Sequence, residues 1–141
     1  MKNVLDKTTI QQYKSLIVYF IIWLISYAVF FVIDPGDAMG YWIVAFWGVL
    51  PIAAIISSIF LGQNKTLNSK ALIPIGVYYG VMYMMAPYLT FKMANYHAQI
   101  AAVRNGLPMP DIKLFLFGVL FFIAGYAIGK WNSHIKGEKL E

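Results

Sequence analysis

The chain has 141 residues, of which 60% are hydrophobic and only 12% are charged, and its mean hydropathy is +0.66. Soluble domains carry about a quarter charged residues, so this chain lacks the polar surface that a soluble fold of its size requires. Its lack of cysteine excludes disulfides and thiolate metal sites, and its net charge of +5 comes from basic residues beside apolar segments, which points to anionic lipid rather than nucleic acid.

Four apolar segments predict transmembrane helices over residues 15–33, 41–62, 71–92 and 113–131. A helix needs about 20 apolar residues to cross a hydrocarbon core of about 30 Å. The sequence therefore predicts an all-α integral membrane protein, in which residues 1–141 form a single four-helix transmembrane domain.

The first helix is predicted to begin near residue 9, because Thr8 with Gln11, or Thr9 with Gln12, has the spacing of a helix capping box. Its apolar run is longer than the roughly 7–15 residues of a signal-peptide core and has no cleavage motif, so we expect it to remain as an anchor. The sequence Asp34-Pro35-Gly36 is expected to end it.

The second helix combines a stripe of small residues with a proline in its interior. Asp37 is the expected N-cap, and Ala54, Ser58 and Gly62 recur at four-residue spacing. Pro51 has no N–H to donate to the carbonyl of Trp47, so the helix is expected to be kinked or loosened there.

The third helix is predicted to extend beyond the membrane on the outer side. Asn68 or Ser69 can cap its start, and helix-compatible residues continue past Lys92 to Arg104. A helix from Ala71 to Arg104 would be about 50 Å long, which exceeds the hydrocarbon core. It either projects outside the membrane or bends near Lys92 and lies on the surface, and we favour projection. Asn105 and Gly106 are expected to end it.

One face of the third helix supports two interpretations. Gly76 and Gly80 form a small-residue motif for helix packing, and Tyr79, Tyr83 and Thr90 place hydroxyls beside the expected kink at Pro87. These three hydroxyls are candidate contacts for an amphipathic ligand. They are equally compatible with ordinary contacts between helices.

The fourth helix is predicted to begin after Asp111 and carries a glycine motif at Gly125 and Gly129, with Gly118 two turns earlier. Small residues at this spacing let two backbones approach closely in lipid. Together with the motifs of the second and third helices, they predict a tightly packed bundle. Packing within one chain and packing between copies remain alternatives.

Basic residues predict the orientation of the chain, because they concentrate on the cytoplasmic side of membrane proteins. With the N-terminus inside, eight basic residues lie inside and three outside: Lys2, Lys7, Lys14, Lys65, Lys70, Lys130, Lys136 and Lys139 against Lys92, Arg104 and Lys113. We expect a multi-pass protein of the plasma (bacterial inner) membrane with both termini in the cytoplasm.

No catalytic, nucleotide or cofactor motif is found in the sequence, and no acidic residue or histidine is placed at mid-membrane depth. We therefore expect a non-enzymatic protein without cofactor or metal, which associates with lipid and not with nucleic acid. The leading hypothesis is a homo-oligomer or an accessory or regulatory subunit of a membrane complex. The alternative is a small transporter or channel for a neutral, lipophilic or cationic solute, using Tyr79, Tyr83 and the Pro87 kink.

Overall fold

The computed structural model describes residues 2–33, 37–64, 67–98 and 106–138, with side chains described from residue 13 to residue 135 within these ranges. The described residues form helices and connecting turns, without a β-strand. Four long helices follow one another in the chain: α1 (Lys2–Phe30), α2 (Ala38–Gly62), α3 (Ser69–Ala98) and α4 (Ile112–Glu138). All four are long and apolar enough to cross a membrane, which confirms the predicted all-helical, multi-pass class.

The boundaries differ from prediction mainly in α1, which begins at Lys2 and not near Thr9. No glycine or proline interrupts residues 2–12, so the predicted capping box lies inside a continuous helix. At the other end, α1 stops at Phe30, and residues 31–33 form a turn before the Asp34-Pro35-Gly36 segment, which lies outside the described residues.

Segments of π-helix adjoin both interior prolines, in agreement with the predicted loosening. In α2, residues Ile43–Val49 are π-helical, and the N–H of Leu50 donates to the carbonyl of Ala45, five residues earlier. In α3, the π-helical segment is Tyr88–Lys92, directly after Pro87. Proline has no N–H to donate. A π-helical turn beside it changes the hydrogen-bonded pairs of the neighbouring backbone from four residues apart to five.

The helix ends confirm some predicted caps and contradict one. Asn68 Oδ1 accepts from the N–H of Lys70 at 3.0 Å, so Asn68 caps the 3₁₀ turn that opens α3. Asp37 makes no side-chain cap bond, and its backbone, with φ −92° and ψ 4°, lacks the extended conformation of most N-caps, so that prediction was wrong. Asp111 Oδ1 accepts from the N–H of Lys113 at 3.0 Å, at the start of α4.

The helices pack in the order α1, α2, α4, α3 around the bundle, so that α1 and α4 lie diagonally opposite each other. Contacts show the helix directions. Tyr78 of α3 donates to the carbonyl of Leu16, and Trp23 donates to the carbonyl of Met82, so α1 and α3 are parallel. Tyr41, near the start of α2, donates to the carbonyl of Ser26, and Leu61, near the end of α2, lies in one buried cluster with Tyr19, so α2 runs antiparallel to α1.

The described part of α3 has 30 residues and therefore a length of about 45 Å, more than the hydrocarbon core requires. The Lys92 ammonium donates to the carbonyl of Met109, which holds the segment before α4 against α3. Residues 99–105 of the predicted extension lie outside the described residues. Beyond them, Gly106 has φ +58°, a left-handed conformation typical of glycine after a helix.

Candidate functional site

The closest contacts in the bundle lie where α4 crosses α2. A Cβ atom built on Gly125 would overlap the carbonyl oxygen of Ile55 and lie 2.8 Å from Ser58 Cβ. A Cβ atom on Gly129 would likewise overlap the carbonyl oxygen of Ile59. Both clashes are with backbone, which cannot rotate away. Only glycine therefore fits these two positions of α4.

The facing surface of α2 is equally close. A Cβ atom on Gly62 would overlap the carbonyl oxygen of Tyr126 and lie 3.1 Å from the Cα atom of Gly129. Ala54 and Ser58, the other small residues of this stripe, are fully buried. The Ser58 hydroxyl donates to the carbonyl of Ala54 at 2.6 Å, so this polar side chain is satisfied within its own helix.

The crossing of α4 with α3 depends on Gly118 and Gly80. A Cβ atom on Gly118 would lie 2.6 Å from the carbonyl oxygen of Tyr79, and one on Gly80 would lie 2.6 Å from the ring of Phe115. Gly76 is less tightly held, because its Cβ atom would lie 3.4 Å from the ring of Phe122, an ordinary contact. Sequence reasoning noted Gly118 only as an extension of the Gly125 motif, although it is the glycine of α4 that faces α3.

The hydroxyls predicted to face a ligand are all engaged inside the bundle. The Tyr79 hydroxyl shares a hydrogen bond of 2.7 Å with the Ser57 hydroxyl of α2, and the Thr90 hydroxyl donates to the carbonyl of Ala86 at 2.8 Å. Tyr79, Tyr83 and Thr90 are at most 2% exposed. The structure therefore brings these residues to the packed interior and leaves no open face at their hydroxyl groups.

Tyr83 has a specific partner that the sequence did not reveal. Its hydroxyl donates to the carbonyl of Phe46 in α2 at 2.7 Å. In a π-helix each carbonyl accepts from the N–H five residues later, as the carbonyl of Ala45 does from Leu50. The residue five after Phe46 is Pro51, which has no N–H to donate. In this register Pro51 leaves the carbonyl of Phe46 without a backbone donor, a residue that the sequence did not single out beside Trp47, and Tyr83 donates to it instead.

Trp23 of α1 makes a parallel contact with α3. Its indole Nε1 donates to the carbonyl of Met82 at 2.7 Å, and Met82 lies five residues before Pro87. In both cases a buried aromatic side chain from a neighbouring helix donates to the carbonyl five residues before a proline. Sequence reasoning missed Trp23, and the available signal was an indole, which needs a hydrogen-bond acceptor, at membrane depth in α1.

Tyr19 of α1 is the exception among the buried hydroxyls. Its side chain is fully buried, and its hydroxyl has no hydrogen-bond partner among the described residues. Its ring packs against Tyr79 with centroids 4.7 Å apart and against Tyr78 at 6.2 Å. Tyr19 therefore contributes ring packing at the centre of the bundle, and its hydroxyl is buried without a hydrogen-bond partner among the described residues.

A wide apolar groove lies on the outer surface between α1 and α2, with a volume of about 690 Å³. We call it the α1–α2 groove. Its lining residues are Ile22, Ile43, Val44, Trp47, Gly48, Val49, Ile52, Ala53 and Ile56. A Cβ atom on Gly48 would meet nothing within 4 Å, and Trp47 is 60% exposed, so the surface here is open where the π-helical segment passes.

Comparison with known proteins gives no relative for this arrangement: no protein-family model matches the chain, and no curated protein or solved structure matches it significantly. Within the described ranges, His, Asp and Glu side chains form no group of three that is suited to hold a metal ion. The two features with defined geometry are thus the packed interior of the bundle and the α1–α2 groove on its surface.

Proposed function

We propose that this is a non-enzymatic multi-pass membrane protein that acts by association, as a homo-oligomer or as an accessory or regulatory subunit of a membrane complex. One contrast carries the proposal. The glycine contacts of α4 and the hydroxyls of Tyr79, Tyr83 and Thr90 are used inside the bundle, whereas the α1–α2 groove is a large apolar surface on its outside. The transporter alternative requires the tyrosine hydroxyls to be open to a solute, and their internal hydrogen bonds favour association instead.

The dimensions of the groove support a transmembrane helix as its occupant. Its lining runs from Ile43 to Ile56, a distance of about 20 Å along α2. One leaflet of the hydrocarbon core is only about 15 Å thick, half of about 30 Å. A lipid chain from one leaflet would cover part of the groove, whereas a helix passing through both leaflets can follow its whole length.

The direct test of association is the mass of the protein extracted together with its surrounding lipid. A single chain has a mass of 16.0 kDa. We expect native mass spectrometry to show a complex that contains two or more copies or a second membrane protein. A single chain with lipid alone, at the concentration found in the membrane, would contradict the proposal.

We further propose that both termini are cytoplasmic and that α3 projects beyond the outer surface, in the plasma (bacterial inner) membrane. The support is the excess of lysines at one end of the bundle. Because the chain has no cysteine, single cysteines at Asp37, Gln63, Met109 and Ser133 can be labelled in intact cells with an impermeant reagent. We expect labelling at positions 37 and 109 only. Labelling at 63 and 133 instead would reverse the orientation.

A further inference from the structure

A second groove lies along the last described turns of α4, beside the end of α2. It has a volume of about 490 Å³ and is lined by Ala127, Lys130, Trp131, His134 and Ile135. These residues recur at spacings of three and four, so they share one face of α4. The groove combines an apolar beginning, an indole, an ammonium group and an imidazole along about 12 Å of helix.

The contacts of α4 place this groove at the level where a bilayer would end. A Cβ atom on Gly62, the last residue of α2, would lie 3.0 Å from the backbone nitrogen of Lys130. Trp131 follows directly and is 71% exposed. Exposed tryptophans beside the ends of apolar helices typically lie among lipid head groups, with lysines reaching toward the phosphates.

The charges at this end of the bundle are of one sign among the described side chains. Lys14 precedes the Leu16–Tyr78 contact, Lys70 opens α3, and Lys130 adjoins the end of α2. The described carboxylates, Asp37 and Asp111, lie at the opposite end, where α2 and α4 begin.

We propose that the groove at the end of α4 binds one anionic phospholipid. The phosphate lies between the Lys130 ammonium and the His134 imidazole, the Trp131 ring packs at the glycerol level, and an acyl chain begins along Ala127. The positive charge of Lys14, Lys70 and Lys130 at this end favours an anionic head group over a zwitterionic one. The site depends on the four helices lying in a membrane, and it does not depend on the association proposed above.

The test measures lipid retention by native mass spectrometry of the full-length protein titrated with phosphatidylglycerol or phosphatidylcholine. We expect one phosphatidylglycerol per chain to bind more tightly than phosphatidylcholine, and Lys130→Gln to weaken it about fivefold. Lys113→Gln is the matched control, since Lys113 is also an exposed lysine of α4, near its other end. We expect this control to retain the wild-type affinity. Trp131→Leu is a second variant, expected to weaken the retention of phosphatidylglycerol without loss of the lysine.

Thermal midpoints equal to wild type establish that each variant is folded before its lipid binding is compared. Equal weakening by Lys113→Gln and Lys130→Gln would overturn the proposal, because it would show a diffuse electrostatic effect rather than a site. Equal retention of both lipids would overturn it as well. Displacement of the lipid by millimolar sn-glycerol 3-phosphate would show that the groove takes a free phosphate ester, and would also contradict a phospholipid site.

Discussion

Two regions of the bundle join their helices by opposite means. Along α4, glycines bring backbone against backbone, so that Gly125 and Gly129 contact the carbonyls of α2 with no side chain between them. Around Pro51 and Pro87, the helices are joined by large aromatic side chains that donate hydrogen bonds across the gap. In the first region the helices meet by direct backbone contact, and in the second by hydrogen bonds from aromatic side chains to backbone carbonyls. At Pro51, the Tyr83 hydroxyl takes the place of the backbone donor that the proline lacks.

The difference matters because lipid provides no hydrophobic drive between helices. Close glycine crossings gain dispersion contacts over a long interface and tolerate no added volume. An aromatic bridge depends on one polar group, and it should tolerate small changes of volume better than loss of the hydroxyl or indole donor. Substitutions that separate added volume from lost hydrogen bonding therefore distinguish the two regions.

The largest effect is expected at the glycine crossing. Gly125→Leu forces a side chain against the backbone of Ile55, and we expect a loss of about 3 kcal/mol of stability or failure to fold. Leu120→Ala, at a position of α4 that is 56% exposed, should cost less than about 1 kcal/mol. Thermal unfolding in detergent measures both. Equal midpoints for the two variants would remove the glycine crossing from the account.

An intermediate effect is expected at the aromatic bridge. Tyr83→Phe keeps the ring and removes the hydroxyl, which leaves the carbonyl of Phe46 without its donor in a buried site. We expect a loss of about 1–2 kcal/mol. Tyr78→Phe is the matched comparison. It removes a half-buried hydroxyl that donates to the carbonyl of Leu16, and no proline of α1 removes the backbone donor of that carbonyl. A midpoint for Tyr83→Phe above that of Tyr78→Phe would contradict the special role of Phe46.

The smallest effect is expected at Tyr19. Tyr19→Phe removes a buried hydroxyl that has no described partner, while the ring contacts with Tyr78 and Tyr79 remain. We expect stability to stay within about 0.5 kcal/mol of wild type, or to increase. The measurement is the thermal unfolding midpoint of Tyr19→Phe, compared with that of Tyr83→Phe. A loss for Tyr19→Phe as large as that for Tyr83→Phe would show that the Tyr19 hydroxyl is hydrogen bonded after all.

The number and approximate positions of the helices could be predicted from the sequence, because three of the four uncharged runs are long enough to cross a bilayer and the fourth, residues 114–129, is extended by the aliphatic stems of Lys113 and Lys130. The start of α1 could not, since the Thr8–Gln11 pattern describes a local option that a continuous helix overrides. The loosening at Pro51 was predictable from proline chemistry. Its displacement to Phe46 was not, because it depends on the π-helical register of residues 43–49.

The partners of the candidate site residues were less predictable than their identities. The spacing of Gly125 and Gly129 indicates a close helix contact, yet it carries no information on which helix is contacted. Tyr79 and Tyr83 lie on one face of α3, and sequence alone does not distinguish a ligand from Ser57 and Phe46 of α2 as their partners. Contacts between distant segments require the packing of the whole bundle, and only local patterns are visible in the sequence.

One pair of substitutions distinguishes association through the α1–α2 groove from association through the glycine crossings. Gly48→Leu fills the groove, and Gly40→Leu makes the same change outside its lining, and at both positions a Cβ atom would meet nothing within 4 Å. The measurement is native mass spectrometry of the protein extracted together with its surrounding lipid. We predict that Gly48→Leu releases the associated subunit while Gly40→Leu retains it, with wild-type thermal midpoints for both. Retention of the subunit by a folded Gly48→Leu variant would contradict the account.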